Sequence, residues 1–369
     1  MGKKSGLFFC VFVIAVLAMA AYFKIPAFQE ILASVTEQDV RDDNIYSDLK
    51  SVSERLDDEI LKGTDSFIIY LKGMDVNEIN QINSLMDGIF GSGESYQQVG
   101  VIGNTYKKVV ITIKKTTNYY VYATMVRGEN IPETEIKARE LYNVVNGIFA
   151  TQVTEGMTDY EKELAFHDYL VTHCVYSEDV LQPQESDIYR AYGALVNGDA
   201  VCNGYAEAMQ LMMLCAGINT KFVIGTADGI DHAWNLVELD GAWYHLDATW
   251  DDPKPDQGEN PLHPYFNVTD EIMEKKHTWQ REDYPKAEDM TYNYYVQSDA
   301  YFRDFLQYKE HAYRELITGG RNRYEAVIEN YIANEEDMQF IFENNHRYNS
   351  VSWQRFGEGD YSVLILKGE

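Results

Sequence analysis

Residues 231–250 read DHAWNLVELDGAWYHLDATW. Asp240-Gly241 separates two alternating apolar segments, and Asp-Gly in that setting is a strong signal for a two-residue hairpin turn. Such a turn sets Leu239 opposite Ala242, Trp234 opposite Asp247 and His232 opposite Thr249. Side chains paired across an antiparallel ladder share a face, so His232, Trp234, Leu236, Trp243, His245, Asp247 and Thr249 lie together. The other face carries Ala233, Val237, Leu239, Tyr244, Leu246 and Ala248, with Asn235 as its one polar member, and reads as a core. His232 and Asp247 are diagonal neighbours within reach of each other. The hairpin therefore builds a histidine oriented by a carboxylate. It lacks a nucleophile.

Residues 200–218, AVCNGYAEAMQLMMLCAGI, offer one. Cys202 follows the turn Asn197-Gly198-Asp199 and opens a helix whose stripe Cys202, Ala206, Met209, Met213 recurs at helical spacing. A cysteine at a helix N-terminus feels the positive end of the dipole, and a neighbouring imidazole can take its proton. Both favour the thiolate, which is the reactive form. Cys202, His232 and Asp247 then supply nucleophile, base and orienter. A buried structural cysteine and a core histidine are the plainer reading of the same residues.

The runs CNGYAEAMQLMMLCAGI, FVIGT and HAWNLVELDGAWYHLDATWDD together resemble the transglutaminase-like superfamily, in the form found in many bacterial exported proteins. The likeness extends from TDYEKELAFHDYLVTHCVY through HPYFNVTDEIM, residues 158–273. It implies a papain-like core with a Cys–His–Asp triad, which falls on Cys202, His232 and Asp247. It also implies acyl transfer or hydrolysis at an amide, with a protein or peptide as substrate.

Other polar residues have structural readings. His245 shares the face of Asp247 but lies near the hairpin tip, opposite Leu236. Trp234 is expected to shield the triad from water. Asn235 is read as a hydrogen bond on the sheet and Glu207 as helix surface. His167 and His173 are read as ordinary core or surface positions. His263, Tyr265 and Asn267 follow the acidic loop DDPKPDQGENPLHP, which is read either as one wall of the cleft or, more simply, as solvated. Cys174 and Cys215 are a possible bridge, although buried small hydrophobes are the simpler reading. The sequence has no Cys-x-x-Cys, no His-rich spacing and no Asp-x-Asp-x-Asp-Gly loop, so neither a metal nor another cofactor is expected.

The chain opens with Lys3 and Lys4 before the uncharged run 5–23, a pattern of export. Either Ala18-Met19-Ala20 is a cleavage site or the run is retained as an anchor with its N-terminus inside. A formal charge of −28 argues against nucleic acid and anionic membrane surfaces as partners. The expected class is α+β: a papain/transglutaminase-like core, helical half plus antiparallel sheet, flanked by two small α+β units. The boundaries are 1–27 for the leader or anchor, 28–63 for a helical spacer, and 64–130 for the first small unit. The catalytic domain takes 131–290 and the second small unit 291–369. Both small units read strand–helix–strand–strand, which suggests a repeat. In the first, NYYVYATMV (118–126) is expected to be a strand. Two functions follow: an exported thiol enzyme, cell-membrane-bound or secreted, or a non-catalytic cell-surface binding or scaffolding protein.

Overall fold

The computed structural model of the 369-residue chain describes residues 44–74, 95–102, 106–178, 186–252, 261–329, 331, 334–343, 346–358 and 361–368. The leader or anchor at 1–27 and the helix of the first small unit's strand–helix–strand–strand pattern, expected within 75–91, lie outside these residues. The chain divides into two compact units, Met1–Met86 with Glu94–Lys114, and Asp87–Gly93 with Lys115–Glu369.

The first unit runs β1 (Ile45–Tyr46), α1 (Leu49–Lys62), β2 (Ser66–Lys72), β3 (Ser95–Ile102) and β4 (Tyr106–Thr112). Asp48 caps α1 by accepting the Ser51 N–H at 2.8 Å, and Gly63, at φ 84°, ends it. The helix in the expected spacer is amphipathic, with Val52, Leu56 and Ile60 buried. Its sheet has the order β1-β2-β4-β3, parallel between β1 and β2 and antiparallel elsewhere.

The second unit begins with a correction. Residues 118–126 are not a strand but the body of α2 (Thr117–Arg127). Tyrosine, valine and threonine favour strands, but Thr116 accepts the Tyr119 N–H as an N-cap and Gly128, at φ 69°, stops the helix. Local capping and burial of Tyr119, Val121 and Tyr122 override the composition. There follow α3 (Ile136–Gln152) and α4 (Asp159–His173), the latter opened by a Thr158–Glu161 capping box. Short strands β5 (Val175–Tyr176) and β6 (Asp199–Ala200) pair beneath α5 (Cys202–Cys215). From Gly204 to Met213 every residue of α5 is buried, so it is an interior helix.

The central sheet then forms from β7 (Thr220–Ala227), β8 (Ile230–Leu239), β9 (Ala242–Leu246), β10 (Phe266–Val268) and β11 (His277–Trp279). Its order is β10-β9-β8-β7-β11, antiparallel throughout. The β8–β9 register runs from Leu239–Ala242 to Asn235–Leu246, as the Asp-Gly turn dictates. Asp240 and Gly241 both take positive φ, 50° and 82°, as the favoured two-residue hairpin turn requires. Both faces of β8 are covered. Ala233 packs with Ala206 of α5 and Phe222, while Trp234 and Leu236 join a larger core with the C-terminal residues.

Those residues form β12 (Tyr301–Phe302), α6 (Phe305–Tyr313), β13 (Arg323–Glu329), α7 (Glu335–Glu343), β14 (Val351–Glu358) and β15 (Tyr361–Gly368). Their sheet has the order β12-β13-β15-β14, again with one parallel pair followed by antiparallel ones. This repeats the strand order and directions of β1-β2-β4-β3, and in each case a helix joins the two parallel strands.

Candidate active site

Cys202 is the first residue of α5, half-buried. The chain reaches it through Gly198, at φ 70°, and β6, with the Val201 N–H held by the Ile188 carbonyl at 2.9 Å. The first turn is crowded. A Cβ at Gly204 would stand 2.8 Å from the Ile188 carbonyl oxygen and 2.8 Å from the Ala200 Cβ, so close approach demands glycine there. Asn235 of β8 donates its Nδ2 to the Ala206 carbonyl at 3.1 Å and ties α5 to the sheet.

Glu207, expected on the helix surface, is buried. Its carboxylate accepts the Ala191 N–H at 3.0 Å, Asn118 Nδ2 at 3.1 Å and Arg190 Nη1 at 3.0 Å. These partners stand 16, 89 and 17 residues away in sequence, beyond any local pattern.

His232 of β8 meets Asp247, one residue past β9, with Nε2 2.7 Å from Oδ2. A carboxylate only accepts, so Nε2 carries the proton and Nδ1 is left to face a thiol. Cys202 acts on this imidazole and helps to raise it. The other Asp247 oxygen accepts the Thr249 and Trp250 N–H groups at 3.1 and 3.2 Å. Burial pulls the imidazole down, but the Asp247 charge and hydrogen bond, reinforced by Cys202, outweigh it and push His232 up to about 10. Burial alone would push Asp247 up. The His232 charge and hydrogen bond, with a bond from His277, instead hold it well below the usual carboxylate range. The arrangement is an imidazolium–carboxylate pair beside a cysteine at the start of a helix.

His277 was not singled out from the sequence. Its Nε2 lies 3.0 Å from the same Asp247 oxygen that receives His232. It comes from β11, a three-residue strand 30 residues beyond Asp247, and only the pairing of β11 with β7 brings it in. Trp234 stacks beside His232, ring centroids 5.9 Å apart, and Trp250 stands at 6.2 Å. His245 is engaged elsewhere: Trp234 Nε1 donates to its Nδ1 at 2.9 Å, and its Nε2 meets Asp270 at 2.9 Å.

The acidic loop at 253–260 lies outside the described residues, and the three residues that follow it are interior. His263, Tyr265 and Asn267 are all buried. His263 Nε2 and His167 Nδ1 both meet Asp168 Oδ1, at 2.8 and 3.0 Å, and His167 Nε2 meets Asp251 at 3.1 Å. Asn267 donates to Glu163 at 2.9 Å. His167 is thus a core residue, whereas His173 is exposed and stacks on Tyr169. Burial pulls His167 down, but Asp168 and Asp251 prevail and push it up to about 9. Burial pushes Glu163 up to about 8 against the Asn267 bond and the His167 charge. Two triplets, His167 with Asp168 and His263, and His232 with Asp247 and His277, bring donor atoms close enough for a cation. In each, the facing carboxylate oxygen is already shared by two imidazoles.

All three described cysteines are free, Cys174 and Cys215 included, so no bridge joins them.

Residues 148–248, which include Cys202, His232 and Asp247, match the family model of the Transglutaminase-like superfamily. This part of the chain is a transglutaminase-like domain. Kyphoscoliosis peptidase of Mus musculus is 26% identical over 118 residues, and that of Homo sapiens 28% over 129. These stretches are 29% and 28% of this chain but only 18% and 20% of the relatives, so the chain spans about a fifth of their length. A solved structure described as a TGase aligns over 49% of this chain and 50% of its own, at 17% identity and a TM-score of 0.28.

Proposed function

We propose that the chain is a thiol enzyme acting on a protein or peptide amide, with Cys202 as nucleophile, His232 as base and acid, and Asp247 as orienter. The observation that carries this reading is the 2.7 Å His232–Asp247 bond, on an imidazole that Cys202 at the start of α5 helps to raise. The Cys202 sulfur attacks the amide carbon, and His232 returns a proton to the leaving nitrogen as the C–N bond breaks. Water or an amine then attacks the thioester, giving its proton to His232, and the thiolate leaves. Support comes from the transglutaminase-like match over all three residues and from relatives named peptidases. Incubation with a glutamine-bearing peptide and a labelled amine tests it by intact mass. A thioester adduct on Cys202, followed by labelled or hydrolysed peptide, is expected. A chain that forms neither, with Cys202 no more reactive than Cys174, gives way to the non-catalytic cell-surface binding role.

The same proposal places the enzyme outside the cytoplasm, led by Lys3, Lys4 and the uncharged run 5–23. Among the described residues no helix is long and apolar enough to cross a membrane, and residues 1–43 lie outside them. N-terminal sequencing of fractionated cells decides. A terminus at Ala21 means a cleaved leader, an intact terminus in the membrane fraction means an anchor, and an intact cytosolic chain overturns export.

A further inference from the structure

We propose that His277 is a positioning residue for this site: by donating to the Asp247 oxygen that also receives His232, it fixes the carboxylate and shares its acceptor strength. The inference rests on the thiol-enzyme reading above and concerns how that site is tuned.

The geometry is specific. Asp247 Oδ2 takes His232 Nε2 at 2.7 Å and His277 Nε2 at 3.0 Å, while Oδ1 takes two backbone N–H groups. Four donors saturate the carboxylate, so it has one available orientation. His277 itself is 1% exposed and boxed by rings: Trp250 at 4.7 Å, Trp234 at 5.2 Å and Tyr265 at 5.4 Å. A phenyl ring suits such a box better, because the imidazole Nδ1 is buried there with no hydrogen-bond partner. Packing therefore does not explain the imidazole. Its bond to Asp247 does.

The strand is placed for that bond. β11 lies against β7, where Gly225 pairs with both His232 and Trp279. A Cβ on Gly225 would come within 2.1 Å of the Thr278 carbonyl oxygen, so the absence of a side chain lets β11 approach. The titratable groups facing the His232–Asp247 pair are Cys202 from α5, Tyr176 from β5 and His277 from β11, with His245 of β9 beyond His277.

A carboxylate that divides its acceptor strength between two donors holds each less strongly. Removing His277 leaves His232 as the sole side-chain donor. The imidazolium is then held more firmly, while the carboxylate loses one of its four restraints. The two effects separate in experiment. The pH midpoint of the His232 ring is followed by nitrogen NMR on the full chain, assigned by loss of the signal in His232→Ala. His277→Asn is expected to raise this midpoint, by roughly one pH unit or less, and to lower turnover, since the shorter amide falls short of Asp247. His277→Gln sets an amide N–H near the lost Nε2 and is expected to restore both toward wild type. Asp247→Asn is expected to move the midpoint the opposite way. A His277→Asn midpoint equal to wild type, or a His277→Gln protein no nearer wild type than His277→Asn, overturns the positioning role and leaves the thiol enzyme standing. An Asp247→Asn protein with an unmoved midpoint overturns the His232–Asp247 pair, and with it both readings.

Discussion

The three described thiols sit in different surroundings, and reagents should tell them apart. Burial pushes Cys174 up to about 12, and burial alone does the same to Cys215. Cys202 is half-buried at a helix start and acts on the raised His232 imidazole. Iodoacetamide at neutral pH should therefore label Cys202 first, as peptide mass mapping will show. His232→Ala should slow that labelling by about 100-fold or more while the other two stay slow. Asp247→Asn should cost turnover on the order of 10⁴, because the imidazole then loses the partner that fixes its tautomer. His232 and Asp247 were legible together because one tight turn joins their strands, and residue spacing alone sets which face each occupies. His277 and Glu207 were not. Their partners arrive by chain crossings that no local periodicity records.

At the scale of elements, α5 is held by contacts that carry no chemistry. Glu207 joins α5 to α2 through Asn118 and to the 190–191 segment through the Ala191 N–H and Arg190. Glu207→Ala leaves a buried N–H and an amide without their acceptor, a loss of about 3 kcal/mol in urea unfolding. Labelling of Cys202 should weaken with it, since the helix start loses its anchor. Gly225→Ala acts on the sheet instead. The added methyl group meets the Thr278 backbone, which cannot yield as a flexible side chain can, and about 1–3 kcal/mol of stability should be lost. The helix at 117–127 shows where composition misleads: its tyrosines and valines suit a strand, yet a threonine cap and a glycine stop mark its ends.

For the chain as a whole, the buried titratable groups set a pH window. His232 and His167 are raised to about 10 and 9, so their contributions are complete below about 6.5 and fade as pH rises through those values. Glu163 is raised to about 8, and its contribution is complete below about 4.5 and fades through 8. Asp168, Asp247, Asp270 and Glu325 are held low, so theirs are present at neutral pH and lost in acid. Calorimetry should find the highest melting temperature in mildly acidic buffer, with a fall of several degrees by pH 9. A melting temperature that rises from pH 6 to pH 9 would contradict this assignment. The two flanking sheets share one strand order, whereas 118–126, read from composition as a strand of the first unit, lies in a helix. The interior cluster at Glu163, His167 and His263 was hidden, because its members come from a helix and a loop some 100 residues apart.

The hairpin has a consequence in time. His232 and Asp247 are 15 residues apart across a two-residue turn, and such hairpins close within about 1–10 microseconds. Synthesis adds only about 5–20 residues per second. The histidine and its carboxylate are therefore able to meet while the ribosome is still working, whereas the donor from β11 follows 30 residues later. Cys202, His232 and Asp247 are in hand first, and His277 arrives last.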